Sequence, residues 1–553
     1  MLNRRLIKSF SWTLLAFIFA SINLVFLFDD SYDGLLSNTS IGQFSDFSFF
    51  DWHFLGVIWI KVILKYIQNQ CFNIDVFYTF YLICVLISSV YLFYTFEKIA
   101  SNSNFILKTI IQIAFLILIV DSLIFITHTR FATLFTGLAL LNLGLFHPRI
   151  KSKTFIHVSF FIFGFLIRPE SGVGSIILII PGLFLYGIST KRVFLVSLIP
   201  LISSAIFFIT LNVYKQYTDR LEILIEPDVE YAMSTDKFVA PPKNASEFDS
   251  VRYVFARNAF FIDTSFVDDE YLRSIISSRT DFDLSGLQKS VKHISHFYAS
   301  YSILFFALIL ILFMIWFNRQ KWLFYKAVVY NFGIFIILVL LDYQINVADR
   351  HFSPLMILTI LISFLFVKKR ISNFSQNVIE IFSFAIFMFP ARQTWEYIYQ
   401  NNLFVETKMI ENNKSLNLFE ERIHGKNVFV TVSGFKLFDK PYTFFVTKRS
   451  KNSYYIYDMS TYSIVPRYAD YLSRHCNCNA TIPIEIFKWI SKTNGIIIID
   501  EKRANLLKAY FKVKNNVKLV FYDAIDATKI LHKSTWPDLK FKRIRFIDSL
   551  SID

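Results

Sequence analysis

"HPRIKSKTFIHVSFFIFGFLIRPESGVGSIILIIPGLFLYGISTKR", residues 147–192, holds two apolar runs divided by a short polar turn, Arg168-Pro169-Glu170, with Lys and Arg at both far ends. A helix needs about 20 residues to cross roughly 30 Å of hydrocarbon, so each run suits one membrane-crossing helix. The turn is long enough only to reverse the chain, which puts both basic ends on one face of a bilayer. By the bias of Lys and Arg toward the cytoplasm, the "HPRIKSK" and "STKR" ends lie inside and the Arg168-Pro169-Glu170 turn outside.

The same reading extends along the chain. Eleven apolar stretches stand near 9–28, 74–96, 105–127, 131–147, 154–168, 171–189, 193–213, 297–317, 323–345, 353–367 and 374–391, the last interrupted by Glu380. With the N-terminus inside, the short basic connections "NRR", "EK", "HPRIKSK", "STKR", "NRQK" and "VKKR" all fall on the cytoplasmic side. Arg4, Arg5 and Lys8 precede the first run as they would in a signal peptide. No small-residue cleavage site precedes the acidic loop that follows, so this run reads as a retained span.

Composition agrees. The chain has 553 residues, 54% of them hydrophobic and 18% charged, against about 25% charged in ordinary soluble domains. Its mean hydropathy is +0.46 and its pI near 9.3. The net charge of +15 is in part topogenic, so it calls for no nucleic acid. Cysteines stand only at 71, 84, 476 and 478, too few for a disulfide scaffold. Cys476-Asn477-Cys478 is spaced too closely for an unstrained bridge of normal geometry, which leaves the redox compartment open.

The expected organisation is an α-helical polytopic membrane domain over 1–391 and a small soluble α/β domain over 392–553. The first outer loop (29–73) is acidic and the long outer loop (214–296) is mixed, the latter read as an ordered cap. In the C-terminal region, β-rich runs ("KNVFVTVSG", "TNGIIIIDE", "VKLVFYDA") alternate with helical ones ("IPIEIFKWISK", "KRANLLKAYFK"). Its side depends on the 374–391 span. No Gly-rich phosphate loop occurs, which removes support from nucleotide-consuming transporters and soluble-type transferases.

The first loop concentrates carboxylates: Asp29, Asp30, Asp33, Asp46 and Asp51 follow the first apolar run. Asp29 and Asp30 sit at its outer end, where two like charges disfavour full ionisation of both and one is poised as a base. The next stretch, "FFDWHFLGVIWIKVILKYI", suits an interfacial helix, with His53 at its start and Trp52 and Trp59 at headgroup depth.

An Asp-Asp pair after the first span ("FDDSYD"), an aromatic and His-bearing interfacial stretch, many further spans and a soluble C-terminal domain resemble the GT-C class of membrane glycosyltransferases. The likeness is architectural across nearly the whole chain. It implies transfer of a sugar from a polyisoprenyl phosphate or diphosphate carrier to an extracytoplasmic glycan, lipid or protein acceptor. It further implies that Asp30, or its neighbour Asp29, is the general base or positions the acceptor, with inversion at the anomeric carbon.

Such a donor departs as a lipid phosphate, whose growing charge needs cations outside the membrane. Arg350 and His351 in "VADRHFSP", Arg168 in "LIRPESG", and His128 and Arg130 in "THTR" stand at outer turns, with Arg350 the leading candidate. Each could instead set helix depth by snorkelling to headgroups. Glu170 either joins the site or pairs with Arg168. Asp121 and Asp342, inside spans, are expensive in lipid and therefore face the bundle interior or a cavity. "HCNC" (475–478) lacks a second ligand pair for zinc. No cofactor is assigned, although a divalent metal is compatible with the Asp cluster. Rival readings are an O-antigen-type glycan polymerase or ligase, in which the arginines matter and the Asp pair is incidental, a transporter or flippase, and a non-enzymatic membrane subunit. The abundance of Ile, Phe, Lys and Asn points to an AT-rich bacterial genome and hence to a bacterial inner membrane with the site facing out.

Overall fold

A computed structural model describes residues 2–28, 76–103, 105–146, 151–215, 238–258, 265–276, 284–318, 320–345, 349–367, 374–423, 426–430, 455–458, 472–527 and 539–548, with isolated positions at 63, 64, 66, 67, 70 and 263. Asp29, Asp30, Asp33, Asp46, Asp51 and His53 lie outside the described residues, as do Cys71 and Glu226–Tyr231 of the long loop.

The described membrane part is helical. Its elements are α1 (Leu2–Asn23), β1 (Leu27–Phe28), α2 (Val76–Ile99), α3 (Phe105–Ile124), β2 (Phe125–Ile126), α4 (His128–Leu145), α5 (Lys151–Ile167), α6 (Pro169–Tyr186) and α7 (Thr190–Lys215). The long loop contributes α8 (Glu247–Arg257) and α9 (Asp269–Ile275). Then follow α10 (Leu284–Ser300), α11 (Ser302–Phe317), α12 (Lys321–Ile345), α13 (Asp349–Leu365) and α14 (Phe374–Ile423).

At the centre stands α4, buried at every position from His128 to Gly144. It packs against α2, α5, α6 and α13. Small residues let these axes approach, as lipid supplies no hydrophobic drive between helices and close packing must substitute. Gly137 of α4 faces Leu358 of α13, and Gly144 faces Leu183 of α6. A polar seam runs between α4 and α6: the Thr136 and Ser175 hydroxyls are 2.8 Å apart, and Ser175 also reaches the Thr133 carbonyl at 3.3 Å. At Gly164 of α5 the neighbour is main chain, since a Cβ there would sit 2.8 Å from the Ala132 carbonyl oxygen. A backbone atom has no rotamer with which to retreat. Gly164→Ala is therefore expected to destabilise the fold by about 1–3 kcal/mol. Gly333→Ala, on a helix position with nothing within 4 Å, should be neutral or stabilising by up to about 1 kcal/mol. Thermal unfolding of both variants in detergent checks the pair.

Among the described residues six helices are long and apolar enough to cross a membrane: Arg4–Asn23, Tyr78–Ile99, Phe105–Ile124, Pro169–Tyr186, Thr190–Phe207 and Lys321–Tyr343. A seventh arises if the bent pair Gly286–Ser300 and Ser302–Phe317 is one broken span, and Thr154–Ile167 and Arg350–Leu365 are shorter apolar helices. All eleven stretches picked out by hydropathy are largely helical in the structure, but the full count of crossings is not met by length and composition. The reason is visible in α4. Enclosed by protein on all sides, it can carry His128, Arg130, Asn142 and three threonines that a lipid-facing helix could not.

The weakest of the eleven stretches becomes the longest element. α14 continues without a break from Phe374 to Ile423, about 75 Å at 1.5 Å per residue, more than twice the thickness of the hydrocarbon. Asn402 on α14 clasps the chain just past α1, accepting from the Val25 N–H (3.1 Å) and donating to the Val25 carbonyl (2.8 Å). The root of the first loop and the start of the C-terminal region therefore share one side of the bundle.

Beyond α14 the chain forms a mixed sheet of β3 (Asn427–Val430), β4 (Tyr455–Asp458), β5 (Ile496–Asp500), β6 (Val517–Ile525) and β7 (Leu539–Asp548), in the order β4-β3-β5-β7-β6. β4, β3 and β5 run parallel, while β7 is antiparallel to both β5 and β6. In the same unit α15 (Pro483–Lys492) packs against β7 and α16 (Glu501–Asn515) against β6. β5 is buried along its whole length, as its run of four isoleucines requires. One expectation is overturned here: Cys476 and Cys478 form a disulfide. Asn477 between them has φ +49°, a left-handed conformation that Asn tolerates. It folds the chain back until the two Cα atoms are 5.1 Å apart, inside the normal range for a bridge.

The long loop docks on this unit. Tyr510 of α16 donates to Asp263 at 2.5 Å, and its ring packs on Phe255 and Phe266 at 5.4 and 5.0 Å. Lys512 pairs with Glu247 at 2.7 Å. Burial, then the adjacent Asp263 carboxylate, pushes the Tyr510 phenol well above its usual range. It therefore remains a donor at any physiological pH.

Candidate functional site

The root of the first loop is fixed by a two-residue parallel sheet. Leu27 and Phe28 of β1 pair with Phe125 and Ile126 of β2. Parallel pairing of so short a pair needs support, and it comes from the elements that lead into it: α1 packs on α3, which runs directly into β2. The described chain thus ends, one residue before Asp29, beside Ile126. Thr127 follows, its hydroxyl accepting from the Thr129 N–H as the cap of α4. His128 and Arg130 occupy the first turn of that helix.

Three helix starts converge at this end of the bundle. α4, α6 and α13 pack on one another, and their first turns carry His128 and Arg130, Arg168 and Glu170, and Arg350 and His351 respectively. Arg168 is the residue before Pro169, held in extended conformation as Pro requires of its predecessor. His351 lies within electrostatic reach of Arg168, Arg350 and His128. A cluster of two guanidiniums and two imidazoles at helix N-termini is an anion-binding arrangement, because partial positive charge from the helix ends adds to the side-chain charge. Each such Arg can present a planar fork to a phosphate.

The sequence-derived candidates do not share one fate. Arg168, Arg350 and His128 all come within electrostatic reach of His351. Arg168 keeps access to solvent, 29% exposed, with Glu170 Oε2 3.2 Å from its Nε and itself 60% exposed. Glu170 is thus a flanking partner of Arg168. Arg130 turns inward and forms a 2.7 Å ion pair with Asp121, both side chains 3% exposed. Tyr301, at the junction of α10 and α11, donates to the same carboxylate at 3.2 Å. Asp121 does face the bundle interior, as its cost in lipid demands. Asp342 is also buried and holds His293 of α10 at 2.8 Å. Asp30, Asp29 and His53 fall outside the described residues.

Tyr301 and Phe352 were not singled out in the sequence. Phe352 packs against Phe297, Tyr298 and Tyr301, wedging the start of α13 against the α10–α11 junction directly beside His351. Neither carries a local signal, as one aromatic among so many in an apolar chain gives no hint of long-range placement.

Among the described residues no group of three His, Cys, Asp or Glu stands close enough to hold a metal ion. The sulfurs of "HCNC" are consumed by their bridge. No family model, curated protein or solved structure matches the chain.

Proposed function

We propose that this protein is an integral-membrane glycosyltransferase of the GT-C type, moving a sugar from a polyisoprenyl-phosphate carrier to an acceptor outside the cytoplasm. The observation that supports it most is the meeting of Arg168, Arg350, His351 and His128 at the end of the bundle where β1 delivers the chain to Asp29 and Asp30. Acceptor activation and leaving-group stabilisation need a carboxylate and a cationic pocket within one ligand's length. In this reading Asp30 removes the acceptor proton while its oxygen attacks the anomeric carbon. The bond from that carbon to the carrier phosphate breaks as Arg350 and Arg168 take up the developing charge.

Eleven membrane crossings and an outward site belong to the same proposal. The Cys476–Cys478 bridge fits an oxidising compartment for the C-terminal unit, and the Asn402–Val25 clasp supports a shared side for that unit and the first loop.

Membranes supplied with labelled polyisoprenyl-phosphate sugars test the proposal. Arg350→Ala is expected to lower transfer about 10²- to 10³-fold at unchanged protein level, the usual consequence of removing one preorganised donor from developing oxyanion charge. Full transfer in that variant would remove Arg350 from the site. The polymerase or ligase reading is favoured by the same cationic cluster. It predicts chain elongation of a lipid-linked glycan and indifference to the Asp pair.

A further inference from the structure

The axes of α10 and α11 meet at 87° across Tyr301. The bend is stabilised, not frayed: the Thr394 hydroxyl of α14 accepts from the Ile303 N–H at 3.1 Å, satisfying a donor that the start of α11 leaves open. α11 is apolar at every position after Ser302, a composition that suits it to the hydrocarbon. With α11 crossing the hydrocarbon, a bend of 87° lays α10 near the membrane plane.

Around α10 the side chains sort into three faces. Ser290, Ile294 and Phe297 are buried, and His293 ties the helix to Asp342 of α12. Next to that face, Leu284 and Val291, seven residues apart, are exposed at 62% and 39%. Beyond them lies a stripe of Lys289, Lys292 and His296, exposed at i, i+3 and i+7. Residues 284–300 include no Asp or Glu. An exposed apolar flank beside a cationic stripe, on a helix lying in the plane, is the pattern of helices at the boundary between acyl chains and headgroups.

We propose that α10 docks on the anionic phospholipid headgroups of the adjoining leaflet, its Leu284–Val291 flank in the acyl boundary and its Lys289–Lys292–His296 stripe on the phosphates. Through His293–Asp342 and the Phe297–Phe352 contact, this docking fixes the depth of the α13 start. The proposal stands whether or not the chain transfers sugars.

The test uses the full chain with a fluorophore at Ser295, Cys71 and Cys84 being replaced by Ser and Ala. Reconstitution is into phosphatidylcholine vesicles containing a minor fraction of phosphatidylglycerol, with nitroxide-bearing quencher on one lipid or the other. The expected result is preferential quenching by the phosphatidylglycerol probe. The enrichment is up to about 25-fold if each lysine contributes about 5-fold, and it collapses toward parity in Lys289→Gln/Lys292→Gln. Equal quenching by both lipids, or none by either, overturns the proposal. Displacement of the lipid by millimolar inorganic phosphate overturns it too, in favour of a site for soluble anions. Unchanged thermal unfolding of the double variant shows that any loss arises at the surface.

Discussion

Asp30→Asn is expected to reduce sugar transfer about 10²- to 10⁴-fold with the protein level and thermal stability unchanged. The amide has the shape of the carboxylate but cannot take a proton from the acceptor hydroxyl, so the loss falls on the chemical step. Binding of the lipid-linked donor, which the proposed function assigns to the cations of α6 and α13, should persist. A single-turnover assay with labelled polyisoprenyl-phosphate sugar separates the two quantities. Asp29→Asn is the matched comparison, because consecutive side chains leave the chain in different directions and only one can face the acceptor. Loss in Asp29→Asn with retention in Asp30→Asn transfers the role to Asp29. Retention in both removes the base from this loop and leaves the arginine-centred polymerase or ligase reading.

Arg130→Ala is expected to destabilise the bundle by about 3–5 kcal/mol, because it strands the Asp121 carboxylate in a protein interior. The two side chains are buried together and 2.7 Å apart, and Tyr301 donates the further hydrogen bond to Asp121. Tyr301→Phe, which removes only that donor, should cost about 1 kcal/mol. Asp121→Leu/Arg130→Met, which removes both charges, should recover most of the loss, since an apolar pair avoids the desolvation of two ions. Unfolding in mixed micelles gives all three values. Should Arg130→Ala instead unfold like the parent while losing transfer, Arg130 would be a substrate contact.

The helices of the membrane part were legible because each stretch of apolar residues is locally decisive. The short basic turns at 147–153 and 189–192 then order those stretches. What could not be read was which helices touch lipid and which touch protein: α4 and α3 differ little in length, yet the first is wholly enclosed and the second is one of the six apolar crossings. The right-angled turn at Tyr301 was hidden inside one continuous apolar run, since hydropathy carries no direction. In the C-terminal unit, β3, β5 and β6 announced themselves by β-branched runs. β7 was overlooked despite the alternation of charged and apolar residues in "LKFKRIRFID". Of the candidate site, Arg168, Arg350 and His351 were legible as cations at the turns between apolar stretches. The inward turn of Arg130 was not, because its partner Asp121 belongs to another helix and the choice between phosphate and carboxylate is made by packing.

The uninterrupted α14 makes the molecule mechanically asymmetric. From its clasp at Asn402 the helix runs on to Ile423, where Phe419 stacks on Phe541 of the sheet at 4.8 Å, a reach of about 30 Å. A rigid arm of that reach, tilting by about 10° at its pivot, swings its tip by about 5 Å. The sheet, riding on the tip, is also strapped to the long loop through Tyr510 and Asp263. Any tilt of α14 about Asn402 is thus amplified at its tip and passed to the sheet and the long loop together.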